Sequence, residues 1–309
     1  MLPRAKKSFG QNFLQDASVL RKIVSAAGIV LGEAVLEIGP GTGVLTQALV
    51  DAGAKVTAIE ADHDLIPGLR ERFGDRITLV EGDALKFDLR TDPTMPPLSK
   101  GRVAEASYLP LGKGEHEGVV GGAFKLVANI PYHITSPILE RFLAHEPRPS
   151  RMVLMVQKEV ADRITAKPGD MGLLSVVCQL YADVRKVTNV PRGAFRPIPK
   201  VDSAVVRLDL RTDPAMPPLS KGRVAETSYL PLGKGEHEGV APREKVIRLA
   251  KAGFSHPRKQ LHGNLVAAGY GTTGQVKEML SKAGLDPKAR AETLAVDEWV
   301  SLARALDVV

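Results

Sequence analysis

Apolar and polar positions change rhythm along the chain, and the changes predict its elements. Ala34 to Ile38 and Lys55 to Glu60 are short, mostly apolar runs with glycine or polar flanks, the pattern of strands covered on both faces. After each, Thr42 to Ala52 and Asp62 to Phe73 space their apolar residues three and four apart, which sets up one buried helix face. Strand, helix, strand, helix requires crossover connections and so predicts a parallel sheet. Ile77 to Val80, Lys125 to Ala128 and Met152 to Val156 supply further strands, and Ser136-Pro137 opens the helix between the last two with a capping residue and a first-turn proline. Tyr181 to Val187 and Ala204 to Asp209 read as a closing antiparallel pair. Lys245 to Gly269, Gly274 to Ala283 and Val296 to Ala305 carry helical periods and predict a small helical domain.

Both rhythms fail over one segment that occurs twice. Asp88 to Val119 and Asp209 to Val240 differ only at Thr94/Ala215 and Ala106/Thr227. Each is rich in proline and glycine and shows neither apolar period, so both are expected to be exposed loops from a duplicated insertion. Loop closure costs little extra as length grows, so such inserts need no function to be tolerated. Glu115-His116-Glu117 and Glu236-His237-Glu238 offer metal-ligand types, but neighbouring residues of an extended segment point apart and chelate poorly.

Composition then narrows the partners. The 309 residues are 44% hydrophobic, ample for a packed core. No run reaches the roughly 18 apolar residues that a membrane span needs, and Met1 to Lys7 has no apolar stretch behind it, so no span and no secretion signal are expected. The single cysteine, Cys178, excludes an internal disulfide and a thiolate metal cage, which fits a reducing compartment, here the cytoplasm. In Val176-Val177-Cys178 it reads as core packing. The net charge is +7. Acidic residues outnumber basic ones within each copy of the repeat, so the basicity belongs to the rest of the chain. It is densest from Arg243 to His262, where Arg248, Lys251, Arg258 and Lys259 surround Phe254, a composition suited to a nucleic-acid backbone.

The candidate chemistry lies at the strand ends. Glu37-Ile38-Gly39-Pro40-Gly41-Thr42-Gly43 closes the first strand with a glycine turn, Glu60 closes the second, Asp83 follows the third and Asn129 the fourth. In a doubly wound sheet these groups meet at the carboxyl edge, where ligands bind, and Glu60 is placed for the two hydroxyls of a ribose. A nicotinamide cofactor fits less well, because the turn lacks the Gly-x-x-Gly tail. Asn129-Ile130-Pro131-Tyr132 points to a planar amine as substrate. An exocyclic base nitrogen is a poor nucleophile because its lone pair is delocalised, and two acceptors on its N–H bonds release that pair. The Asn129 side-chain oxygen and a backbone carbonyl beside Pro131 are suitable acceptors, and Tyr132 can cover the base.

These stretches, with Phe9-Gly10-Gln11-Asn12-Phe13-Leu14, Gln157-Lys158-Glu159-Val160 and Gly193-Ala194-Phe195-Arg196-Pro197-Ile198-Pro199-Lys200-Val201-Asp202-Ser203-Ala204, resemble the KsgA/RsmA family of ribosomal RNA adenine dimethyltransferases. The resemblance covers almost the whole chain apart from the inserts. It implies a Rossmann-like, class I S-adenosylmethionine-dependent methyltransferase domain at residues 1–209, carrying insert 88–119. A second insert or linker at 210–241 and a helical RNA-binding domain at 242–309 would follow. It implies S-adenosylmethionine as cofactor, with Gln11, Asn12 and Leu14 at its methionine end, Gly39 and Gly41 beneath it, Glu60 on the ribose, and Asp83 and Ala84 by the adenine. Asn129 would serve both cofactor and target amine, while Tyr132 and Phe195 would sandwich the extruded adenine. The implied target is a pair of adjacent adenosines in the 3′-terminal hairpin loop of small-subunit (16S) rRNA, on an assembling 30S particle, with the enzyme a monomer that needs no metal.

Some positions depart from the family pattern: Met171-Gly172-Leu173-Leu174-Ser175, His133-Ile134-Thr135 after Tyr132, and Ser255-His256-Pro257-Arg258-Lys259-Gln260, which is less basic than usual. Two other classes remain open on sequence grounds. One is a large-subunit rRNA methyltransferase, and the other is a non-catalytic RNA-binding factor that keeps the cofactor fold.

Overall fold

The computed structural model describes Lys6 and residues 9–87, 124–211 and 243–306. In chain order the strands are β1 (Phe13–Leu14), β2 (Ala34–Ile38), β3 (Lys55–Glu60), β4 (Thr78–Glu81), β5 (Lys125–Asn129), β6 (Arg151–Gln157), β7 (Ala182–Val190), β8 (Phe195–Arg196) and β9 (Ser203–Leu210). The helices are α1 (Ala17–Ala27), α2 (Val44–Asp51), α3 (Ile66–Phe73), α4 (Thr135–Ala144), α5 (Lys158–Ile164), α6 (Leu173–Tyr181), α7 (Arg243–Gly253), α8 (Leu261–Ala267), α9 (Thr273–Lys282) and α10 (Val296–Ala305). By its contacts the chain divides into two compact units, Met1–Asp162 with Ala182–Thr212 and Arg163–Tyr181 with Asp213–Val309. Arg163–Tyr181, which sequence order alone would assign to the first domain, groups with the C-terminal helices.

The first unit holds a seven-stranded sheet of order β4-β3-β2-β5-β6-β9-β7. Strands β4, β3, β2, β5 and β6 run parallel, and β9 and β7 close the edge antiparallel, as the apolar pattern predicts. The strand order reverses between β2 and β5, which opens a crevice at their carboxyl ends. Helix α1 packs on β5, β6, β7 and β9. Its N-terminus is capped by Asp16, which accepts from the backbone of Ser18 and Val19. Its last carbonyls are bound by cations from three strands: Lys125 Nζ to Gly28 at 2.6 Å, Arg151 to Ala27 at 2.9 Å and Arg207 to Ala26 at 3.2 Å. Positive charge at a helix C-terminus satisfies orphan carbonyls and opposes the macrodipole.

Two expectations need correction. Asp209 and Leu210, the first residues of the second repeat copy, are not loop: both end β9, and Leu210 is buried. Burial would raise the Asp209 carboxyl, but Arg207 and Arg151 grip it and hold it below the usual range. The strand pattern continues through the repeat boundary because Leu-Asp-Leu keeps its alternation. From Thr212 onward that copy, and the whole first copy, lie outside the described residues.

In the second unit, the helix expected from Lys245 to Gly269 is two, α7 and α8. The break falls at Phe254 to Gln260, where Pro257 cannot donate a helical hydrogen bond. Asn264 instead donates to the carbonyls of Gly253 and His256. Trp299 of α10 is fully buried and stacks near Phe254, with ring centroids 5.6 Å apart. Cys178 is buried in α6, and burial pushes its thiol up to about 12, so it packs rather than reacts. Among the described residues no helix is long and apolar enough to cross a membrane.

Candidate active site

The crevice is a cavity of about 450 Å³, a size suited to a nucleoside-like ligand. The glycine turn after β2 forms its floor. Gly39 and Gly41 have φ of +68° and +61°, a conformation that favours glycine. A side chain at Gly41 would meet the Phe13 ring at 3.2 Å, and one at Gly39 would approach the Pro131 ring at 3.9 Å. The bare backbone thus lets two turns close on one space.

Glu60 ends β3 and is only 5% exposed. Its Oε2 accepts the Gly41 N–H at 3.0 Å and its Oε1 accepts the Asp62 N–H at 2.9 Å. Burial raises its pKa, with those backbone bonds opposing. Asp83 and Ala84 follow β4 and line the same cavity. The Asp83 Oδ1 accepts from Leu85 N at 3.0 Å, which fixes the turn that carries it.

Asn129 and Pro131 also line the cavity. The Asn129 Nδ2 donates to the Asn12 carbonyl at 3.2 Å, so Oδ1 is the acceptor left for a ligand. Tyr132 opens a short 3₁₀ turn, and its phenol pairs with Ser203 Oγ at 2.7 Å. Burial pushes that phenol's pKa up. Gln11, Asn12 and Leu14 also line the cavity, so eleven of the twelve expected cofactor and catalytic positions converge there.

Phe195 is the exception. It is 1% exposed, paired to Leu14 across the β1–β8 bridge, and belongs to the hydrophobic core. It is not among the residues that line the cavity. The expected RNA contacts Arg248 and Lys251 lie exposed on α7, and Arg258 and Lys259 are exposed in the turn before α8.

Two acidic residues, Glu37 on the cavity and Asp62 next in sequence to the lining residues Glu60 and Ala61, carry more than the sequence pattern gave them. Glu37 lines the cavity and is 1% exposed. Its Oε2 and the Thr46 hydroxyl are both buried without a hydrogen-bond partner among the described residues. Burial pushes the Glu37 carboxyl up to about 8, with the nearby Thr46 hydroxyl opposing and the Glu60 charge adding to the rise. Asp62, two residues past β3, is 1% exposed and accepts from Lys6 and Gln11. Burial would raise its carboxyl, but those two bonds, the Asp64 N–H and the Lys6 charge together hold it below the usual range. Asp62, His63 and Asp64 come close enough to share an ion. The Lys6 ammonium already bridges the two carboxylates at 2.6 and 2.5 Å.

The chain matches the family model for ribosomal RNA adenine dimethylase over residues 3–221. A ribosomal RNA small subunit methyltransferase A from Geobacter metallireducens is 39% identical over 308 residues, covering 98% of this chain and 96% of that one. Its counterpart from Moorella thermoacetica is 38% identical, covering 99% and 93%. Among solved structures, the 23S rRNA methyltransferase ErmE superposes with a TM-score of 0.66 at 27% identity, covering 96% of this chain and 100% of that one. A dimethyladenosine transferase from Plasmodium falciparum gives a TM-score of 0.67 at 26% identity, covering 94% and 95%.

Proposed function

The chain belongs to the ribosomal RNA adenine dimethylase family, and from that premise we propose that it dimethylates the exocyclic amines of two adjacent adenosines in the 3′-terminal hairpin loop of small-subunit rRNA. It is an S-adenosylmethionine-dependent methyltransferase. We further assign the assembling 30S particle as its substrate, the cytoplasm as its location and the monomer, without a metal, as its working form. The observation that carries the reading is the meeting of the Asn129–Tyr132 turn with Gly39, Gly41, Glu60 and Asp83 on one cavity.

The residues fit such a cofactor. The Glu60 carboxylate suits ribose hydroxyls, Asp83 could accept from an adenine amine with Ala84 against its ring, and Gln11, Asn12 and Leu14 would take the methionine end. When bound, S-adenosylmethionine supplies an electrophilic methyl group on a sulfonium. The protein's part is alignment and proton acceptance. Asn129 Oδ1 and the Ile130 carbonyl accept the two N–H bonds of the adenine amine, which turns its lone pair toward the methyl. No strong base is needed, because the amine sheds its proton to solvent after the bond to carbon forms. Tyr132, held by Ser203, covers one face of the base, a contact worth roughly 1–3 kcal/mol. Arg248, Lys251, Arg258 and Lys259 are assigned to the RNA backbone.

The experiment is methyl transfer from labelled S-adenosylmethionine to small subunits lacking the modification, with nucleosides identified by mass, beside Asn129→Ala. Dimethyladenosine from the parent and none from the variant is the expected result. The likeness to ErmE keeps a large-subunit target as the second reading, and label found only in large-subunit RNA would establish it. Cofactor binding with no transfer would leave an RNA-binding factor.

A further inference from the structure

Phe9 to Leu14 line one side of the cavity, and Lys6 and the Phe13–Leu14 pair are held in different ways. At the C-terminal end Phe13 and Leu14 are 7% and 5% exposed, belong to the core, and pair with Arg196 and Phe195 of β8. In the middle, Gly10 turns with φ +61°, and the Asn12 carbonyl takes the Asn129 amide. At Lys6 the attachment is polar and centres on Asp62, with Asp64 also pairing the ammonium. The Asp62 Oδ1 accepts Lys6 Nζ at 2.6 Å and its Oδ2 accepts Gln11 Nε2 at 2.7 Å. The Lys6 main-chain N–H in turn donates to Gln11 Oε1 at 2.7 Å. Both ends of the Gln11 amide are therefore engaged within the protein. Gln11 thus ties two chain segments together while lining the cavity.

We propose that Lys6, Gln11 and Asp62 form a clasp that fastens the N-terminal segment beside the cavity and sets how long the cofactor is retained, with Asp62 as its positioning residue. The inference rests on reading the cavity as the cofactor site. Its physical basis is the asymmetry of the two anchors. Opening at the Phe13–Leu14 end exposes core side chains to water, whereas opening at Lys6 exchanges protein hydrogen bonds for water ones. The clasp end is therefore the one that yields first. Charge assistance makes it a fastening and not a frayed end, since an ammonium on a buried carboxylate is stronger than a neutral pair. Asp62 is tied to the ligand wall as well, because its own N–H donates to Glu60 Oε1 at 2.9 Å. Closing the clasp and ordering Glu60 are thus mechanically linked.

The test compares the full-length parent with Lys6→Met and Asp62→Asn by hydrogen exchange without cofactor, and by S-adenosylmethionine dissociation measured in stopped flow. Lys6 is 30% exposed, so Lys6→Met removes the charge without emptying the core and keeps the test valid if Asp62→Asn folds poorly. Exchange of the amides from Gln11 to Leu14 is expected to rise by about tenfold in Lys6→Met, with exchange in β2, β3 and β5 unchanged. Cofactor dissociation is expected to accelerate by a similar factor while turnover at saturating cofactor stays the same. Unchanged exchange of those amides in Lys6→Met overturns the clasp. So does faster exchange spread over the whole unit, which marks a general loss of stability. The exchange arm is independent of ligand identity, so a parent that binds no S-adenosylmethionine refutes the reading of the cavity and leaves the clasp to be judged by exchange.

Discussion

The Tyr132 phenol and the Ser203 hydroxyl stand 2.7 Å apart, which ties the turn after β5 to the first residue of β9. Ser203 is fully buried, and its hydroxyl holds the ring. Ser203→Ala is expected to lower turnover by about tenfold, the equivalent of one lost hydrogen bond, while the cofactor dissociation constant is unchanged. Steady-state kinetics beside calorimetric titration separates the two. Ser203→Thr should restore turnover, and equal loss of both quantities in Ser203→Ala would show that the bond merely stabilises the fold.

Glu37 makes stability depend on pH. Its carboxyl moves from an ordinary value of 4.5 to about 8 on burial, so the folded state keeps a proton that the unfolded state releases. The protonated form's contribution is fully present below about 4.5 and is lost as pH rises through about 8, because unfolding releases a proton across that window. The full swing is on the order of 4 kcal/mol or less. Urea unfolding from acid to mildly alkaline pH should show falling stability in the parent and a flatter profile in Glu37→Gln. Parallel profiles would place the titration elsewhere.

One glycine substitution should have opposite signs at two positions. Gly43 caps α2 at φ +76°, and a Cβ there would meet the Phe73 ring at 2.5 Å. Gly43→Ala is expected to cost about 2 kcal/mol or more, from left-handed strain plus the clash. Gly68 lies within α3 with nothing near its missing side chain. Gly68→Ala should gain roughly 0.5–1 kcal/mol from helix propensity. Thermal melts of both variants decide it.

What the sequence made legible follows from which forces act locally. Strands β2, β3, β5 and β6 announce themselves because burial on both faces demands unbroken apolar runs. The glycine turn is visible because positive φ at Gly39, Gly41 and Gly43 restricts the residue type. The β1–β8 bridge has two residues on each side, too few for any period, so Phe195 read as a loop aromatic when it is core. Helices α5 and α6 were not anticipated, and neither was Asp62. Its role comes from Lys6 and Gln11, which reach it across 56 and 51 residues of chain, and no spacing rule carries information over such a distance. The repeat boundary misled in the other direction, since sequence identity between copies outweighed the strand alternation that Asp209 and Leu210 continue.

The basic residues of the C-terminal unit allow a last prediction that separates RNA affinity from chemistry. Arg248, Lys251, Arg258 and Lys259 are all exposed, so replacing them opens no cavity and should leave stability nearly unchanged. If they contact phosphates, each releases counterions on binding, and the dependence of affinity on salt counts them. Arg258→Ala with Lys259→Ala should lower the slope of log affinity against log salt by roughly 1.5 to 2 and weaken binding at low salt. Turnover at saturating RNA should be retained, because neither side chain belongs to the cavity. Asn129→Ala should behave in the reverse way, abolishing turnover while leaving the salt slope at its parent value. Filter binding of small-subunit particles across a salt series, run beside methyl-transfer assays, reads both quantities. An unchanged slope in the double variant would remove Arg258 and Lys259 from the RNA interface and move the backbone contacts to other cations.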